Sequence, residues 1–300
     1  MLHPSCSLFL VAKFSAVLLC LLVGLQASTP EENLGQIKAM RVIGNVTAQS
    51  SDEPAPVPLT NGDLLYESYT IVTAAQASVV LVFSNGSTVR VLGNTKLELS
   101  SFRQDPLDQE TVAIESLKAE PSTSLTELNL VYGELVGEVK KLSHSSSYSI
   151  HTPVGAAGIR GTIFHDRYSP EGDTATYSFT TTEGLVEFTD LAGRKHSIPA
   201  GQVLGGRHRP TKPAATATYR QGKVSAREGK AIKLQTEVMR HVRSKVVFLR
   251  KDGVSNKVGK PKLHKEPNGK RDEEDDDKYL KRERAARPSP PPAPIHNTKK

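Results

Sequence analysis

Short runs of Val, Leu, Ile, Thr and Tyr alternate with polar neighbours through the middle of this chain, which is the period-two pattern of half-buried strands. Residues 36–47 carry one such run, with Ile37, Ala39, Arg41 and Ile43 on one side, Val42 and Val46 on the other, and breaks at Gly35 and Gly44. A Ser, Pro and acidic loop is expected at 48–58. Strands follow at 66–73, 78–83, 88–92 and 96–100, separated by Asn61-Gly62-Asp63, Asn85-Gly86-Ser87 and Gly93-Asn94, the turn residues that reverse antiparallel strands. Residues 79–83 are apolar without a break, so this strand is expected to be buried on both faces. Residues 103–124 read as a surface excursion with one embedded strand. Strand texture returns at 125–131, at 134–140 around Gly133 and Gly137, and at 149–152, 159–164, 174–182, 184–190, 194–199 and 202–204. Strands this short and regular, with no helical period between them, predict an all-β body with a solenoid-like or sandwich arrangement.

The pattern changes after Gly206. Residues 207–223 read as a linker. Ala231, Leu234, Val238, Val242 and Val246 then recur at three- and four-residue steps, one face of an amphipathic helix over 224–250 whose other side is basic. From 251 to 300 few large apolar residues remain, and the segment holds an acidic run at 272–277 and prolines at 288–294. It is expected to be a disordered, charged and Pro-rich tail.

The first 28 residues form a separate unit. An apolar run at 14–25 follows Lys13 and precedes Leu25-Gln26-Ala27, which suits a cleaved export signal; the longer, weaker run 8–25 leaves a retained anchor as the alternative. Both cysteines, Cys6 and Cys20, lie inside this leader. A mature chain would therefore hold no disulfide and no cysteine-ligated metal. The net charge of +7 also hides a division: residues 28–206 hold 12 Lys and Arg against 21 Asp and Glu, whereas 207–300 hold 26 against 11. The basicity belongs to the C-terminal part, and an anionic partner is expected there.

The stretch Thr152-Pro153-Val154-Gly155-Ala156-Ala157-Gly158-Ile159-Arg160-Gly161-Thr162-Ile163-Phe164 resembles the signature of the FecR domain family. Gly62-Asp63-Leu64, Thr70-Ile71-Val72-Thr73, the apolar strand with its Ser84-Asn85-Gly86-Ser87 turn, Leu130-Val131-Tyr132-Gly133-Glu134-Leu135, Thr182-Glu183-Gly184-Leu185-Val186 and Ala200-Gly201-Gln202 match its other landmarks. The resemblance spans about residues 62–206 and implies a periplasmic β domain with solenoid-like architecture, related to transducers that relay iron-siderophore signals to sigma factors. Those transducers are expected to carry an anti-sigma segment before a membrane span, and about a dozen residues precede the apolar run here. The functional expectation is an exported, non-enzymatic module that binds a ligand, an envelope protein or an anionic envelope polymer, with a membrane-anchored transducer as the alternative. Nucleic acid is not an expected partner of an exported chain.

Within the signature, Thr152, Pro153, Gly155, Gly158, Arg160, Gly161, Thr162 and Phe164 are the candidate site residues, structural or ligand-facing. Arg160 can read an anion beside a Gly-rich backbone, or it can be a structural arginine pairing with Glu134 or Asp166. No helix opens after these glycines as a phosphate loop requires. His144, His151, His165, His196 and His208 lack the helical spacing of a zinc hydrolase, and no nucleophile elbow occurs. No cofactor, metal or catalytic residue is expected. A carbohydrate hydrolase would need paired carboxylates, such as Glu134 and Asp166, on one groove.

Overall fold

The computed structural model describes residues 34–51, 53–211 and 217–249. The leader expected at 1–28 and the tail expected at 251–300 lie outside the described residues. Among those described, no helix is long and apolar enough to cross a membrane.

The chain opens with β1 (Ile37–Ile43), β2 (Val46–Ser50), β3 (Val57–Pro58) and β4 (Leu64–Leu65). Next come β5 (Tyr69–Thr73), β6 (Ser78–Phe83), β7 (Thr88–Val91) and β8 (Thr95–Gln104). The excursion that follows holds β9 (Thr111–Ala113) and a 3-10 turn at Ile114–Ser116. After it run β10 (Ser124–Glu138), β11 (Ser147–Thr152), β12 (Gly155–Ile159), β13 (Ile163–Glu171) and β14 (Thr174–Glu183). The last elements are β15 (Leu185–Asp190), β16 (Lys195–Pro199), β17 (Gln202–His208), β18 (Thr218–Lys223), the helix α1 (Ala226–Arg243) and β19 (Val247–Leu249).

Seventeen of these strands form one continuous ladder, which the pairings resolve into two layers. Layer one runs β3, β2, β5, β8, β10, β11, β12, β15, β16. Layer two runs β4, β1, β6, β7, β10, β13, β14, β17, β18. The long strand β10 belongs to both: Ser124 to Tyr132 pair with β8, and Gly133 to Glu138 pair with β13. Its pivot is Gly133, at φ 110°, where a Cβ would sit 2.2 Å from Thr95 Oγ1; only glycine fits this close approach at positive φ.

The core between the layers takes one residue in two from each strand: Ile71, Leu97 and Leu128 from layer one meet Val79, Leu81, Phe83 and Leu135 from layer two. Phe83 packs edge-on against Phe102, and Phe179 stacks on Phe188. The expectation for residues 79–83 holds, since every side chain of β6 is buried. Val80 and Val82 face outward from layer two, join Val136 and Ile163, and are covered by Ile232, Val238, Met239, Val242, Val246 and Phe248.

That second core corrects several expectations. Residues 207–223 are not simply a linker, because β17 extends to His208 and β18 pairs with it from Thr218 to Lys223. The helix spans 226–243 and not 224–250; Val247–Leu249 instead pairs with β9. The expected apolar face holds at Val238 and Val242, but in the first turns Ile232 is buried where Ala231 was expected, and Ala231 is exposed. Val246 is buried just beyond the helix end. The loop expected at 48–58 carries the end of β2 and all of β3, and Gly133 bends β10 without interrupting it. The strand expected at 159–164 divides between β12 and β13.

The helix starts where Ser225 caps it, its Oγ accepting the Glu228 N–H at 3.2 Å, as an S-x-x-E sequence favours. Its last turn carries Arg240, His241 and Arg243, cations at the end where the helix dipole welcomes them. Met239 is fully buried against layer two. Met239→Ala should lower stability by about 2–4 kcal/mol in denaturant unfolding, and the same truncation at exposed Lys233 should leave it nearly unchanged.

Candidate functional site

The 152–164 signature forms a hairpin followed by a change of layer. At the hairpin, the Thr152 hydroxyl donates to the Gly155 carbonyl at 2.9 Å while accepting the Val154 N–H at 3.4 Å, and Pro153 sits exposed at the tip. Gly155 has φ 148°, and a Cβ there would lie 2.3 Å from the Thr189 carbonyl and 2.7 Å from the Phe188 ring. This is the contact that lets β12 lie against β15. Gly158 faces outward with ordinary space around it, and Gly161 takes φ 67° as the chain leaves layer one. Thr162 then fixes the entry to layer two: its hydroxyl donates to the Leu185 carbonyl at 3.0 Å, and its backbone exchanges hydrogen bonds with Val139. Phe164 fills the core, its ring lying where a Cβ on Gly137 would stand.

Arg160 is exposed, and its guanidinium donates to the Ser143 carbonyl. It pairs with neither Glu134 nor Asp166. The reason is alternation along β13: Asp166 stands opposite Leu135 and points into the core, while Arg167 stands opposite Glu134 on the other face. Glu134 and Asp166 therefore lie on opposite faces of layer two, and they do not flank one groove.

The charged groups that the fold does bring together lie beneath the first turn of α1. His165 Nε2 meets Glu134 Oε1 at 2.7 Å, and its Nδ1 faces Glu228 Oε1 at 3.6 Å. Arg167 reaches the same Glu134 oxygen at 3.0 Å, and the Thr180 hydroxyl donates to Glu228 at 2.9 Å. Burial works against charge on Glu134, yet hydrogen bonding and attraction from His165, then Arg167, hold its carboxyl down to about 2. Burial likewise opposes a charged His165, but its hydrogen bond to Glu134 and the Glu228 carboxylate facing Nδ1 raise it to about 9. The ring is an imidazolium clamped between two carboxylates, one on the sheet and one on the helix. At the other end of α1, Glu138 Oε2 receives Arg240 Nε at 3.1 Å and Arg243 Nη1 at 3.2 Å. These groups locate the helix and leave no histidine pair free. The described residues contain no cluster of metal-ligating groups.

Residues 69–187 match the family model described as FecR protein. Residues 69–187 are a FecR-like domain. The signature lies inside the matched residues, whereas β16 to β18 and α1 lie beyond them and complete both layers. No curated protein matches the chain. Two crystal structures of a proposed anti-sigma factor from Parabacteroides distasonis ATCC 8503 resemble it at 11% and 12% identity, with TM-scores of 0.39 and 0.38. The likeness covers 54% of this chain, and the chain spans 63% and 62% of those two.

Sequence reasoning missed the role of Glu228 and His165. The Ser225-x-x-Glu228 capping pattern marks a helix start, but Glu228 turns from the cap to His165 only because α1 docks there. Asp166, expected as a partner for Arg160 or as a groove carboxylate, is instead wholly buried with neither carboxyl oxygen hydrogen-bonded. Burial pushes its carboxyl up to about 7, slightly offset by His165. Burial, then the charge of Asp166, pushes the unpartnered Tyr148 hydroxyl up as well.

Two outcomes follow from this geometry. A Cβ at Gly155 meets backbone that cannot move aside, so Gly155→Ala should cost more than about 2 kcal/mol, read as a fall in the thermal midpoint. For Asp166, the folded value lies above the unfolded one, so the unfolded chain releases its proton first and stability falls as pH rises from about 4 through 7. The His165 contribution is complete below about 6.5 and lost only as pH rises through 9. Asp166→Asn should remove the fall between pH 4 and 7 and raise stability at pH 8 by up to about 4 kcal/mol, measured by denaturant midpoints across pH, while leaving the decline near pH 9.

Proposed function

We propose that this chain is an exported, non-enzymatic FecR-domain module of the cell envelope that engages an anionic partner through the outer side of α1. The observation that carries the reading is the way α1 is held. Its apolar side is sunk into layer two and both ends are fixed by ion pairs, so the opposite side is a stationary stripe. Arg227, Lys230, Lys233 and Arg240 lie exposed along it at three- and four-residue steps, with Glu237 as the one acid among them. Such a stripe concentrates positive potential on one ridge. The glycine-rich signature, the other candidate for ligand contact, is used by the hairpin and the change of layer.

A second reading, a membrane-anchored signal transducer, is favoured by the FecR domain itself. Determining the mature amino terminus separates the two: a start near Ser28 removes the anchor, and an intact leader removes the secreted form.

The stripe is tested with the full mature chain on polyphosphate-coated beads. Retention should weaken as salt rises, and Arg227→Gln, Lys230→Gln and Lys233→Gln combined should release at a clearly lower salt concentration than wild type. Arg240 is left intact in this variant because it also holds Glu138. Retention indifferent to salt, or unchanged in the triple variant, rejects the stripe as the contact.

A further inference from the structure

Each layer ends in two edge strands, and three of the four are blunted. In layer one, β3 is two residues long and follows Pro54 and Pro56, with Pro58 within it, while β16 begins at Lys195 and ends at Pro199. In layer two, β4 is also two residues long. Short edges, prolines and lysines are the usual means of preventing further strand addition. The fourth edge, β18, is six residues long and free of proline, and almost all of it is exposed.

The direction of its unused backbone groups follows from its hydrogen bonds. The Val224 N–H donates to the Gly201 carbonyl at 2.9 Å, toward the interior of layer two. The Thr218 carbonyl lies on the same side, where it accepts the Tyr177 hydroxyl. Backbone polarity alternates along a strand, so Thr218, Arg220 and Gly222 face β17, and the N–H and C=O groups of Tyr219, Gln221 and Lys223 face outward. No strand, loop or helix among the described residues pairs with them.

Charge indicates what would. Arg207, Lys195, Arg220 and Lys223 are exposed around this edge, and none forms an ion pair among the described residues. Two acids in this part of the fold are already engaged, Asp190 with Arg194 at 2.7 Å and Glu228 with His165. Antiparallel pairing of β18 with a second copy would set the cations of one edge against those of the other, where like charges oppose pairing.

We propose that β18 is a docking edge for an extended acidic peptide of a partner protein, which adds to layer two as its next strand. The three outward backbone pairs supply the ladder, and the surrounding cations select the sequence. The proposal does not depend on the α1 stripe.

The experiment uses the full mature chain and two synthetic ten-residue peptides, one alternating Glu and Val, the other Lys and Val. The acidic peptide should bind and slow hydrogen exchange at the Tyr219, Gln221 and Lys223 amides, and the basic one should not. Gln221→Pro removes an outward N–H without touching the β17 ladder, as an edge position tolerates, and should weaken binding about fivefold or more, since one hydrogen bond is worth about 1 kcal/mol. Gln221→Ala keeps that N–H and should bind within about twofold of wild type. Arg220→Glu with Lys223→Glu leaves the backbone intact and should also weaken acidic-peptide binding; binding should survive in the α1 triple variant. Equal binding of both peptides, binding undiminished by Gln221→Pro in a folded variant, or no binding overturns the proposal. So does a wild-type dimer that Gln221→Pro dissociates, which would make a second copy the occupant. Amides already protected in the free chain and released when the acids at 272–277 are changed to Ser would overturn it in favour of the chain's own acidic run.

Discussion

A β-layer that is apolar on both faces has to be covered twice, and layer two imposes this requirement on the rest of the chain. Val79, Leu81 and Phe83 of β6 face the inner core, whereas Val80 and Val82 face away from it with Val136 and Ile163. Left open, that outer patch would be a site for nonspecific association. The chain resolves this by carrying its own cover: α1 and β19 lie beyond the residues matched by the FecR family and supply Ile232, Val238, Met239, Val242, Val246 and Phe248. The helix is therefore part of the folded body.

Apolar contact holds the cover on, but it does not by itself choose how a helix lies on a sheet. The ion pairs do this at both ends. Glu228 on His165 fixes the amino-terminal turn, and Arg240 with Arg243 on Glu138 fixes the carboxyl-terminal one. Half-buried ion pairs are modest contributors to net stability, because each charge gives up hydration, but removing one partner strands the other. Their effect here is to set orientation. Orientation in turn decides that Arg227, Lys230 and Lys233 point to solvent, which is the physical basis for any function of the basic stripe.

The glycine-rich signature has a comparable geometric role. Thr152, Gly155 and Thr162 satisfy backbone groups or permit close approach where β12 meets β15 and where the chain passes from one layer to the other. Arg160, the charge that looked most like a ligand-reading group, ends on the Ser143 carbonyl at the surface. A motif can thus mark a family without marking its binding site. Here it marks the place where two layers are joined, and the surfaces left for recognition lie elsewhere, on α1 and on the β18 edge.

Local pattern alone determined the all-β class, the positions of most strands, the double burial of residues 79–83 and the kinship carried by residues 152–164, because period-two alternation, turn residues and short motifs are properties of neighbouring positions. The helix too was legible, though not its ends, which the structure sets at Ala226 and Arg243. Most of its buried face was legible as well, in Val238 and Val242, but not its first turns: Ala231 and Ile232 both suit the spacing, and the packing against layer two buries Ile232. The same holds for charge. That Glu134 meets His165 and Arg167 while Asp166 is sealed in the core depends on the register of β13 against β10, and a one-residue difference would exchange them between faces. Composition along the chain says how much charge each segment carries. Where that charge is neutralised, buried or presented depends on contacts between residues far apart in sequence, and these exist only once both layers and their cover have closed.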